Sequence, residues 1–167
     1  TCMISNPYDH TLDCANELLA LREESLQASR EGACASTLVI GDAFSAYTGL
    51  VHLRDLCHGL AVRSGWWTNL KTGEPVDPDA TFAEKIALIH SEASEALEGH
   101  RKALKDSHLP HRSSEEVELA DLLIRVFDLA GAKRMDLAGA VIEKLVVNLN
   151  RADHKPENRK GVNGKRY

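Results

Sequence analysis

Two acidic couplets, Glu92-x-x-Glu95 and Glu118-x-x-Asp121, each lie in a segment whose apolar spacing predicts a helix. At 3.6 residues per turn, positions three apart are separated by about 60° around the helix axis, so each couplet presents its two carboxylates side by side. Packing the two helices together would converge four carboxylates on one small volume. Four like charges repel one another unless cations lie among them, and carboxylate oxygens are the preferred ligands of hard ions such as Mg²⁺. The couplets therefore point to a helix pair built around a magnesium site, with Mn²⁺ as a substitute ion.

The rest of the chain reads as all-α around that pair. Leu12, Ala15, Leu18, Leu19 and Leu26 give residues 11–30 one apolar helix face, and Gly32 stops it. Gly41-Asp42 can cap a helix over residues 43–63, which Ser64-Gly65 ends. Gly73, Pro75 and Pro78 make 66–80 an ordered loop. A third helix starts near Thr81, with Glu84 as capping-box partner, and runs to about Leu104, its buried side drawn from Phe82, Ile86, Ile89, Ala93 and Leu97. Pro110 interrupts the chain, and Ser113 or Ser114 caps a strongly apolar helix over 117–130 that ends by Gly131. Asp136 opens a fifth helix reaching about Ala152, and the tail beyond Lys155-Pro156 is basic. Leu38 to Ile40 is the one short strand candidate. The organisation expected is an N-terminal helical extension over 1–41, a four-helix core over 42–154 and a basic tail over 155–167.

Length and charge narrow the function. A chain of 167 residues can bury one core of ordinary size. Its net charge of −5 disfavours binding along a nucleic-acid polymer, so the expected partner is a small molecule. No run approaches the roughly 18 apolar residues of a membrane span. Cys2, Cys14, Cys34 and Cys57 form no C-x-x-C pair and accompany no apolar signal segment, which suits a reducing, cytoplasmic setting; Cys57 reads as a core residue.

Either couplet alone would read as a solvated helix face. Glu118 and Asp121, however, sit in a helix apolar enough to be largely buried, where carboxylates are costly unless paired or metal-bound. A structural ion pair between Asp121 and Arg125 is the simplest competing explanation. A di-iron bundle requires Glu-x-x-His, and His90, His100, His108 and His111 all stand at other offsets.

The couplets, with Leu122-Leu123 following Asp121, resemble the signature of the MazG-like all-α nucleoside triphosphate pyrophosphohydrolases, which include the dimeric dUTPases and the dCTP pyrophosphatases. Leu56-Cys57-His58 with Trp67, and the Lys144, Asn148 and Arg151 spacing, are similar to the dCTP pyrophosphatase branch, and the likeness spans Leu50 to Asp153. The resemblance implies a MazG-like helical bundle with an extra N-terminal helix. It implies that Glu92, Glu95, Glu118 and Asp121 hold Mg²⁺ while water attacks the α-phosphorus of a nucleoside triphosphate, releasing monophosphate and pyrophosphate. Glu92 or Glu95 would orient or deprotonate that water. One departure is Arg125, which stands where the dCTP-directed relatives carry an aromatic residue, so that specificity differs.

Lys144, Asn148 and Arg151, four and three apart, can form one polar stripe that meets the phosphates, with a solvated stripe as the alternative. His58, Trp67 and Asn69 are candidates for reading a nucleobase, Trp67 by stacking, whereas Trp66 reads better as core. The resemblance further implies a homodimer or homotetramer. The expected function is hydrolysis of a deoxynucleotide such as dCTP, dATP or dUTP for pool housecleaning. The alternative is a non-catalytic acidic helical module for oligomerisation or partner binding.

Overall fold

The computed structural model describes residues 43–161. The expected helix over 11–30, the Gly41-Asp42 cap, the strand candidate at Leu38, three of the four cysteines and the last basic residues lie outside them. Within them the chain is mostly helical: α1 (Ala43–Arg63), α2 (Phe82–Lys102), α3 (Ser114–Ala132), α4 (Leu137–Asn150), a 3-10 turn (Ala152–His154) and the short α5 (Pro156–Arg159). Among the described residues the only extended pairings are two isolated bridges, Thr68 with Pro75 and Lys105 with Ser113. No described helix is long and apolar enough to cross a membrane.

The described residues divide into two compact units, one formed by Val51–Asp136 and the other by 43–50 together with 137–161. In the first, α2 and α3 pack along one another and α1 contributes its last three turns. Local chemistry fixes the ends of these helices. The turn after α1 closes with Gly65 N–H donating to Val62 O and Trp66 N–H to Ala61 O, a pairing that needs left-handed backbone, supplied by Gly65 at φ +81°. The same pairing closes α2 through Ala103 at φ +50° and α3 through Arg134 at φ +52°. Ser113 caps α3 by accepting from Glu116 N–H, as its sequence suggests. The capping box at Thr81 does not form, because the Thr81 hydroxyl donates instead to Asp77 O at 2.9 Å.

Which faces are buried departs from the apolar periodicity. On α2 the buried residues are Glu92, Ala96 and Gly99, while Phe82, Ala93 and Leu97 are exposed and Ile86 and Ile89 half-buried. Small residues at positions 96 and 99 let α3 come close: a Cβ on Gly99 would lie 2.6 Å from Ser114 Oγ. The helix is thus turned toward its glutamate, and the charge is tolerated there because α3 brings a counter-ion. The expectation that α3 is largely buried holds only for its C-terminal half, where Phe127, Leu129 and Ala130 are buried; Leu119, Leu123 and Ile124 are exposed. In the second unit, α4 buries Ala138, Gly139, Ile142 and Val146. It ends at Asn150, short of the expected Ala152, since Arg151 adopts extended backbone.

Candidate metal centre

Glu92 and Glu95 project from the middle of α2, and Glu118 from the second turn of α3. One carboxylate oxygen from each of the three lies within 4.8 Å of the others, close enough for all three to ligate one ion. The environments are graded. Glu92 is buried, Glu118 half-buried and Glu95 exposed, so the cluster opens to solvent on the Glu95 side. Asp121, the fourth expected ligand, is half-buried and outside this group of three. The donor set is oxygen alone, which suits a hard cation better than zinc or a redox metal.

Electrostatics within the cluster are strained in the direction a cation would relieve. Burial, then the neighbouring charge of Glu95, a hydrogen bond with Glu92 and the charges of Glu92 and Asp121 hold the Glu118 carboxyl above its usual range. Burial and the Glu92 charge raise Asp121 as well; Arg125 acts against the rise, Asp106 adds to it, and His108 opposes it. The expected alternative pairing of Arg125 with Asp121 is replaced by a cross-helix bond, in which Arg125 Nε donates to Glu92 Oε1 at 2.5 Å. Glu92 thereby obtains a partner for a buried carboxylate, and Arg125 keeps 42% of its side chain exposed.

A second polar cluster lies in the same unit. Asp128 Oδ1 accepts from Trp67 Nε1 at 2.7 Å and stands 2.9 Å from His58 Nδ1. The two rings meet edge to face at 5.7 Å, and Lys85 Nζ lies 4.5 Å from the Trp67 ring centroid. His58 reaches Asp128 because Gly131 leaves room; a Cβ there would fall 2.5 Å from His58 Cβ. The expected roles of the paired tryptophans are exchanged in burial. Trp67 is 8% exposed and anchors the loop, whereas Trp66, expected in the core, is 70% exposed. The anchor goes to Trp67 because its indole N–H finds a carboxylate inside. Asn69 is exposed and its Oδ1 accepts from Lys71 N–H and Thr72 N–H, shaping the turn.

Asp128 and Lys85 are partners of Trp67 that residue spacing alone does not identify. A signal was present for Asp128, an acid seven residues after Asp121 amid Phe127, Leu129 and Ala130. Lys85 carried none, since a lysine in the first turns of a helix is ordinarily a solvated one.

Lys144, Asn148 and Arg151 belong to the other unit. Lys144 is exposed, and Asn148 Oδ1 is buried without a hydrogen-bond partner. Arg151 lies beyond the helix and makes a two-pronged bond to Asp153, Nε to Oδ1 at 2.9 Å and Nη2 to Oδ2 at 2.7 Å. The stripe is thus continuous on α4 only between its first two members. Comparison of the chain with protein-family models, with curated proteins and with solved structures found no match.

Proposed function

We propose that the chain is a Mg²⁺-dependent nucleoside triphosphate pyrophosphohydrolase, acting on a deoxynucleotide such as dCTP, dATP or dUTP. The observation that carries this reading is the approach of Glu92, Glu95 and Glu118 oxygens to within 4.8 Å of one another across two helices. Magnesium held there would acidify water and neutralise charge developing on the phosphate oxygens. Water oxygen bonds to the α-phosphorus as the bond to the pyrophosphate oxygen breaks. The water's proton passes to a carboxylate, and Glu95 suits this role: it is exposed, whereas Glu92 is buried and already accepts from Arg125. Trp67, held by Asp128, serves by fixing the His58 edge rather than by stacking on a base.

The test is a screen of the purified protein with Mg²⁺ against the common NTPs and dNTPs, scoring pyrophosphate separately from orthophosphate. Pyrophosphate from one or a few substrates is expected, and Glu118→Gln or Glu95→Gln is expected to lower turnover at least about a hundredfold while helical circular dichroism is retained. A second reading, a non-catalytic acidic module, is favoured by the Arg125–Glu92 bond, which neutralises the buried carboxylate without any metal. That reading predicts no pyrophosphate release from any substrate.

A further inference from the structure

Arg125 brings a positive charge into the carboxylate cluster. Its Nε is 2.5 Å from Oε1 of Glu92, the most buried of the three clustered carboxylates, whose side chain is 6% exposed. A charge-assisted bond of this kind is shorter and stronger than a typical neutral one. The two partners come from different helices, and they differ in freedom. Glu92 is fixed in the α2–α3 contact beside Ala96 and Gly99, while the guanidinium is carried on a long side chain that is 42% exposed and can move outward.

A divalent cation ligated by Glu92, Glu95 and Glu118 needs electron density that the guanidinium already draws on. It also meets a positive charge at hydrogen-bond distance from one of its ligands, where repulsion is least screened by water. We propose that Arg125 is a built-in counter-ion of the carboxylate cluster that competes with the divalent cation for Glu92, so that the Arg125–Glu92 bond sets the metal affinity of the site. This inference rests on the metal-centre reading above. It makes Arg125 a positioning residue: the cation wins Glu92 by displacing the guanidinium outward, and the cost of that displacement weakens metal binding.

The experiment is titration of the protein with Mn²⁺, following free ion by electron paramagnetic resonance, for the wild type, Arg125→Gln, Arg125→Lys and Glu118→Gln. Thermal unfolding in chelator is measured beside it. The expected result is that Arg125→Gln binds Mn²⁺ on the order of tenfold more tightly than the wild type, the reverse of what loss of a supporting contact would do. Its melting temperature in chelator falls, since Glu92 is left buried without a counter-ion, and Mn²⁺ restores it. Arg125→Lys, which keeps the charge but not the fork, falls between. Unchanged or weaker Mn²⁺ binding by Arg125→Gln, where Glu118→Gln abolishes wild-type binding, overturns the competition while leaving the metal centre intact. Absence of Mn²⁺ binding by the wild type overturns both. A variant that loses its helical circular dichroism is replaced by Arg125→Lys, whose affinity must then exceed that of the wild type.

Discussion

At the scale of the residue, the cluster is defined less by the number of its acids than by how unequal their surroundings are. Glu92 is buried against Arg125, Glu95 is in solvent, and Glu118 lies between them with its carboxyl held above the ordinary range by burial first and Glu95 second. That shift fixes the sign of a pH effect. An acid whose folded value exceeds its unfolded one binds more protons in the folded state, so stability falls as pH rises from the unfolded value through the folded one. For Glu118 and Asp121 the loss starts at their ordinary values, 4.5 and 3.8, and is complete once pH exceeds the raised ones. Glu118→Gln is therefore expected to melt a few degrees higher than the wild type at about pH 7 in chelator, and to differ little at about pH 4. Mg²⁺ should raise the wild-type melting temperature more at the higher pH and leave the variant nearly unmoved. Melting curves at the two pH values, with and without Mg²⁺, check this; a variant less stable than the wild type at about pH 7 in chelator would show that Glu118 serves the fold.

Among the elements, close approach decides which face of each helix turns inward. Gly131 admits His58, since a Cβ there would meet His58 Cβ at 2.5 Å and Cγ at 2.7 Å, whereas a Cβ on Gly59 meets nothing within 4 Å. The same substitution should thus have opposite signs. Gly131→Ala gains about 0.5–1 kcal/mol of helix preference but loses about 1–3 kcal/mol to overpacking and strains the His58 bond to Asp128, for a net loss of stability. Gly59→Ala should keep the gain. Urea midpoints of the two variants measure the difference. This dependence on partners also explains what could be seen in advance. Helix ends written in local chemistry, such as Gly65 after α1 and Ser113 before α3, were legible in the sequence. Thr81 was misleading because its hydroxyl had a nearer acceptor in Asp77 O. The couplets announced the acidic cluster, three of whose four members converge. Nothing in the period of α2 showed that Glu92, Ala96 and Gly99 face inward in place of Leu97, because that choice is made by Ser114 and Arg125 on the opposite helix. Trp66 reads as the core member of the pair, and burial goes to Trp67 instead because Asp128 stands beside its indole N–H.

For the whole molecule, the apolar content of α3 poses a question that burial within the chain does not answer. Leu119, Leu123 and Ile124 are each about half exposed, on a helix whose C-terminal half buries Phe127, Leu129 and Ala130. Leu119 and Leu123 are four apart and so lie on one side of the helix, with Ile124 next to them. Three large side chains left in water on one helix constitute the kind of patch that marks an interface, and a self-complementary pairing about a two-fold axis is the commonest way to cover one. If such pairing buries these residues, then a charge introduced at the centre of the patch must be desolvated in the dimer but not in the monomer. Leu123→Glu is expected to shift the protein from dimer to monomer by light scattering coupled to size exclusion, at concentrations where the wild type is fully paired. Because Leu123 is already exposed within the protomer, the helical circular dichroism of the variant should match that of the wild type. The position also lies between Asp121 and Arg125, so Mn²⁺ binding by the monomeric variant carries information of its own. Retained affinity would mean that Glu92, Glu95 and Glu118 of one chain suffice to hold the ion. Loss of affinity alongside intact helicity would mean that pairing of two chains is needed to keep α2 and α3 in the register that brings the three carboxylates together.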